Sequence, residues 1–214
     1  LNNDTIKQYL EYLKLSGIQD IFINPKKQIN KAELLQELEK KYCNCKKCEL
    51  HTGRHKFVYG NGNADARLMI IGEGPGAEEN RLGKVFVGRS GQLLTKMLNA
   101  INLSREEIYI SNIVKCRPPG NRNPLPEEKK ACLPYLDEQI SIIQPELILL
   151  VGKVAAVTLL EIDQTLKAFR ERTYTFRGIK TYVSYHPSAL LRNPHWKKFA
   201  WIDLQKLQKD YLAL

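Results

Sequence analysis

The stretch RLMIIGEGPGAEEN, residues 67–80, decides the fold. Its apolar run, Leu68 to Ile71, ends in Gly72 and a turn containing Gly74, Pro75 and Gly76. A short strand that is apolar on both faces and leads through glycines toward a helix is the unit of a parallel α/β sheet. Three further runs repeat its strand character: IYISNIV (108–114), ELILLVG (146–152) and TYVSYH (181–186). Between them Leu93, Leu94, Met97, Leu98 and Ile101 recur at helical spacing. Pro126 can start another helix, which Pro134 must kink or restart. A short helix is expected at 153–160. A terminal one at 196–213 has Trp196, Phe199, Ala200, Leu204, Leu207 and Tyr211 on one side. The alternation predicts an α/β fold, a parallel sheet between two helical layers. Ligands bind such sheets beyond the carboxyl ends of the strands. The places to read are therefore GEGPGAEEN, Asn112 and HPSALLR.

Ahead of the sheet, residues 4–15 put Ile6, Tyr9, Leu10 and Leu13 on one helical face, with Gly17 as a stop. IFINPKK (21–27) reads as a turn. Asn30 and Glu33 form a capping box for a second helix that points Leu34, Leu35 and Leu38 inward. We expect a helical N-terminal extension over 1–42 and a single domain over 43–214. No apolar run approaches the roughly 18–20 residues of a membrane span, and the first residues lack the zones of a signal peptide. The formal net charge of +10 makes a polyanion the expected partner. Cysteines at 43, 45, 48, 116 and 132 suit thiolate–metal chemistry in a reducing cytoplasm better than a disulfide framework.

Gly72 to Ala77 formally matches the G-x-G-x-x-A dinucleotide fingerprint. Pyrophosphate needs bare amides at a positive helix start, yet Glu73, Glu78 and Glu79 crowd this turn, and the second strand ends in Asn112 where an acidic ribose ligand belongs. We expect no nucleotide cofactor. The glycines instead let the backbone approach a flat ligand, with a carboxylate beside it for water or a proton.

Cys45 and Cys48 form a C-x2-C pair, and Cys116 and Cys132 are widely spaced. Two close thiolates can share one metal centre and two more complete a set of four. Zinc ribbons usually pair two such knuckles, and the second pair here is wide, so zinc and an iron–sulfur cluster both stay open until the family resemblance below favours the cluster; a register using Cys43 with Cys48 is also open. The loop KCRPPGNRNP (115–124) offers Lys115, Arg117 and Arg122 for phosphate contacts.

CKKCEL, GEGPG, FVGRSGQLL, YISNIVKCRPPGNRNP, Cys132 and HPSALLRNP, in that order and spacing, resemble the family-4 uracil-DNA glycosylases, the iron–sulfur branch of their superfamily. The resemblance covers residues 43 to 214. It implies a three-layer α/β/α sandwich with a central four-stranded parallel sheet, uracil at the strand ends, and a [4Fe–4S] cluster on Cys45, Cys48, Cys116 and Cys132. It gives Glu73 and the Gly74 backbone a part in managing the attacking water, with Glu79 second. Phe86 stacks on the flipped base, Asn112 bonds its Watson–Crick edge, and His186 donates to O2 of the leaving uracil. Leu190 and Leu191 lie near the gap in the duplex, with Arg192 on phosphate.

The chain departs from the family at Asn80, where Asp is frequent, and at Val85, where Pro is frequent, a change expected to loosen the loop carrying Phe86. The implied protein is a monomeric, cytoplasmic repair enzyme that hydrolyses uracil from DNA. Two rivals are a non-catalytic iron–sulfur DNA-binding accessory and a glycosylase of broader taste for deaminated bases.

Overall fold

The computed structural model describes residues 3–18 and 30–214, in two units, Leu1–Asn30 and Lys31–Leu214. The first unit holds α1 (Asn3–Leu15). The turn expected at 21–27 lies outside the described residues.

The second unit begins with α2 (Lys31–Tyr42), which moves the expected boundary. Leu35 is buried in the core, Leu38 and Tyr42 pack on it, and Lys31 Nζ donates to Ile143 O at 3.0 Å. Residues 31–42 therefore belong to the α/β body, because their apolar stripe is buried there.

Six strands follow: β1 (Asn61–Gly62), β2 (Leu68–Gly72), β3 (Tyr109–Asn112), β4 (Leu147–Val151), β5 (Tyr174–Phe176) and β6 (Ile179–Ser184). They form one sheet of order β1-β3-β2-β4-β6-β5. The four expected strands, β3-β2-β4-β6, are parallel, with Gly72 opposite Asn112 and Val151 opposite Ser184. The expected four-stranded sheet is extended by β1 and β5, short antiparallel strands that cover its two edges.

Side chains of β2 alternate between two cores. Leu68 and Ile70 face the layer of α4 (Arg89–Asn99), α8 (Pro187–Arg192) and α9 (Lys197–Leu212), with Leu94, Leu98, Leu190, Leu204 and Leu207. Met69 and Ile71 face α2, α5 (Pro126–Ile143) and α6 (Lys153–Leu160), with Leu35, Leu136, Ile140 and Ala155. This is the period of two expected of a strand covered on both faces. α5 starts at Pro126 and continues through Pro134 as one helix, so of the two expected outcomes, a kink or a restart, the restart does not occur. Cys132, Tyr135, Leu136, Gln139 and Ile140 are all buried, and that packing offsets the lost hydrogen bond.

The chain passes from β2 to β3 on one side, then crosses to β4 on the other. Loops at the carboxyl ends diverge at such a switch point and open a crevice. α3 (Ala77–Leu82) and α7 (Leu166–Arg170) complete the helices, α3 standing directly after the glycine turn.

Candidate active site

The crevice is a cavity of about 470 Å³ lined by residues from every parallel strand end, among them Glu73 and Gly74 after β2, Asn112 at the end of β3, Gly152 after β4 and His186 after β6. Asn112 is buried, and its Oδ1 has no hydrogen-bond partner. A buried acceptor left unpaired costs about 1–3 kcal/mol, which a donor entering the cavity recovers. A Cβ on Gly72 would stand 2.5 Å from that oxygen and 2.8 Å from Phe86 Cζ, so only glycine lets the two side chains meet here. Phe86 faces His186 with ring centroids 5.5 Å apart. Asn112, Phe86 and His186 thus line one slot of the cavity, with the two rings tilted against each other.

Ser188 N–H donates to His186 Nδ1 at 3.2 Å, and Ser188 Oγ lies 2.8 Å from the same atom. A ring nitrogen that accepts a hydrogen bond carries no proton, so the neutral ring keeps its proton on Nε2. Burial, and then the nearby Arg192 charge, hold the ring's pKa down to about 4. At neutral pH the site therefore holds a neutral imidazole that donates from Nε2. Glu73 is half-buried in the cavity lining, and burial raises its carboxyl above the ordinary value, opposed by Lys129.

Glu79 also lines the cavity, but its oxygens are taken: Oε2 accepts from Gly76 N–H at 3.1 Å, and Oε1 from Val87 and Gly88 N–H, both at 2.8 Å. It shapes the wall by fixing backbone. Asn80 turns away from the cavity, accepting from His55 N–H and donating to Gly53 O. Val85 does not loosen its loop. Its N–H donates to Asn61 Oδ1, a bond that proline could not make, and its carbonyl accepts from Arg105.

The basic loop divides into accessible and buried side chains. Arg117 is half-buried and exposed Arg122 lines the cavity, with its guanidinium forked onto Glu128 at 2.9 and 2.7 Å. Lys115 is fully buried, so the expected phosphate contact is wrong for this residue. Its Nζ donates to Ser111 Oγ, Asn112 O and Gln139 Oε1 at 2.5, 3.0 and 2.7 Å, and burial lowers its pKa to about 7. The expectation for Leu190 also fails, because it is buried in the core under α8. Leu191 and Arg192 are exposed, and Arg192 reaches the cavity mouth. Lys153 lines the same mouth and was missed. It follows the third expected strand directly, so the strand-end rule had pointed to it. Ser188, which fixes the histidine tautomer, was hidden in HPS. Arg105 had no sequence signal.

A second, small cavity brings together Cys45, Cys48, Cys116 and Cys132 with Leu50, Phe57 and Tyr135. Cys43 is exposed and points its thiol at Lys40 O, outside this group. Donors reach three of the other four sulfurs: Tyr135 OH and Lys47 N–H on Cys45, Arg54 Nη1 on Cys116, and Lys115 N–H on Cys132. Burial raises the Cys48, Cys116 and Cys132 thiols, the last to about 12. Among the described residues, no group of three or more His, Cys, Asp or Glu is set to hold a metal ion, and no helix is long and apolar enough to cross a membrane.

The fold and the cavity define an α/β domain with a pocket at its strand ends that gathers a buried amide, an aromatic ring and a neutral histidine. Residues 59–205 match the model of the Uracil DNA glycosylase superfamily. A type-4 uracil-DNA glycosylase of Pyrobaculum aerophilum is 42% identical over 168 residues, 75% of this chain and 86% of its own. One of Thermotoga maritima is 41% identical, covering 76% of this chain and 86% of its own, and one of Archaeoglobus fulgidus 36%, covering 82% and 92%. The chain belongs to the uracil-DNA glycosylase superfamily, in its type-4 branch.

Proposed function

We propose that this protein is a DNA repair enzyme that hydrolyses the N-glycosidic bond of a flipped-out uracil and leaves an abasic site. The observation that carries the reading is the unpaired, buried Asn112 Oδ1 in a slot bounded by Phe86 and His186. Uracil presents an N3–H donor beside an O4 acceptor, and an asparagine amide matches both; cytosine presents the reverse and is refused. Phe86 stacks on the base. As the bond to C1′ breaks, positive charge gathers on the sugar and negative charge on the base. His186 donates from Nε2 to uracil O2, a fixed donor worth about 2.7–4 kcal/mol in the transition state. Glu73, ionised, and the Gly74 backbone orient the water that adds to C1′; its hydroxyl stays on the sugar, and its other proton passes to Glu73 and then through solvent to the departed uracil anion. A non-catalytic DNA-binding accessory has no use for this convergence.

Cys45, Cys48, Cys116 and Cys132 are proposed to hold a [4Fe–4S] cluster. What supports the reading is that four thiols border one cavity with apolar walls, although their sulfurs are not gathered as a metal-holding group, and that N–H and O–H groups point at three of them, contacts that tune such clusters. When bound, the group supplies a structural tie between the 45–48 segment and α5. Arg117, Arg122, Arg192 and Leu191 are proposed to meet DNA, with the protein acting as a cytoplasmic monomer. Incubation with a uracil-containing oligonucleotide followed by alkaline cleavage tests the activity. Strand scission at uracil is expected, and an intact strand refutes the reading.

A further inference from the structure

Phe86 has φ 49°, in the left-handed region, where a residue with a bulky side chain stays only when its surroundings hold it. The hold is specific. On the N-terminal flank, Arg105 Nη2 donates to Val85 O at 2.9 Å and Nη1 to Phe86 O at 2.8 Å. On the C-terminal flank, Glu79 Oε1 accepts from the N–H groups of Val87 and Gly88. α4 closes the third side: a Cβ on Gly91 would stand 1.7 Å from Phe86 O, so only glycine fits there.

Arg105 is half-buried, sits on the loop after α4 and is not part of the cavity lining. Among the described residues it forms no ion pair, and its hydrogen bonds go to these two carbonyls and to Thr95 Oγ1 at 3.5 Å. A guanidinium withdrawn from water and aimed at two successive carbonyls has the loop as its task. Its rigid fork spans both oxygens, which a lysine ammonium does not.

We infer that Arg105 is a positioning residue for uracil excision, holding Phe86 in the left-handed conformation that sets its ring beside Gly72 and His186. The inference rests on the reading of Phe86 as the base-stacking residue. Without the fork, residue 86 relaxes toward negative φ and the ring leaves the slot, so the captured base is misplaced.

A double-mutant cycle separates action through Phe86 from general support of the fold. Single-turnover excision is measured for wild type, Phe86→Ala, Arg105→Met and the double variant, well below the lowest melting temperature. Arg105→Met should slow excision between about tenfold and a hundredfold, the usual penalty of a misplaced reactant. The double variant should be no slower than Phe86→Ala alone. Multiplying effects in the double variant, or Arg105→Met at wild-type speed beside a slow Phe86→Ala, overturn the inference and leave the stacking role standing. Phe86→Ala at wild-type speed overturns the stacking role and the inference with it. If Arg105→Met does not fold, Arg105→Lys goes through the same cycle under the same criteria, with a smaller slowing expected.

Discussion

The molecule has two places where polar side chains gather away from water, and they are built in opposite ways. At the strand ends, a large cavity keeps an acceptor unpaired, a histidine neutral and a carboxylate with its affinity for protons raised. Around the cysteines, a small cavity surrounds sulfur with donors already in place. An unmet hydrogen-bonding demand marks a site that awaits a transient ligand. A demand already met at three of four sulfurs suits the resident cluster proposed above. The first should govern rate and the second stability.

The largest effect that would break this contrast belongs to the pocket. His186→Ala removes the donor to the departing base, so single-turnover excision should fall about a hundredfold or more, with DNA affinity unchanged by filter binding. The same variant should flatten the acid side of the stability curve. Because the folded ring has a pKa near 4 and an unfolded one about 6.5, the unfolded chain binds more protons between those values. Wild-type stability therefore falls as pH drops through that window. Thermal melts at pH 7 and pH 5 check this.

At the cysteines the effect should be on stability. Cys132→Ser protein, purified anaerobically, should be colourless and lose its iron, against about four irons per chain in the wild type. Its melting temperature should drop by roughly 10 °C, as the loss of several kcal/mol of bound-state stabilisation implies. Excision per folded molecule at low temperature should stay within a few-fold of wild type. A colourless wild type carrying stoichiometric zinc would overturn the cluster and leave the pocket untouched.

A smaller effect sharpens the pocket's chemistry. The proposed mechanism uses Glu73 ionised, and burial raises its pKa. The excision rate should thus fall with acid from a point above the ordinary carboxylate value, before His186 is protonated. Glu73→Gln should be slower, by about tenfold or more, and should lack that limb in a pH profile. Least of all, Arg117→Ala or Arg192→Ala should weaken binding to any sequence and reduce the salt slope by about one each.

The contrast also explains what the sequence disclosed. The parallel strands were legible to within about two residues because each is a short apolar run between turns, buried on both faces. β1 and β5 were not, since Asn61–Gly62 and Tyr174–Phe176 are too short to carry a period. That Glu73, Asn112 and His186 line one cavity was legible because strand ends are few. Lys115 was misread because its charge suggests solvent, while the groups that bury it, Ser111 and Gln139, come from β3 and α5. Arg105 was invisible for the same reason: the carbonyls it serves lie 19 and 20 positions away.

The measurement that bears most directly on the central claim compares wild type with Asn112→Asp on one oligonucleotide carrying uracil, cytosine and thymine at separate positions, scored by alkaline cleavage after a single turnover. Wild type should cut at uracil. Asn112→Asp sets a carboxylate against O4, so cutting at uracil should vanish, with slight cutting at cytosine, whose amino group can donate to it. Near-wild-type excision of uracil by Asn112→Asp would contradict the account, because the base would then be read somewhere other than this pocket.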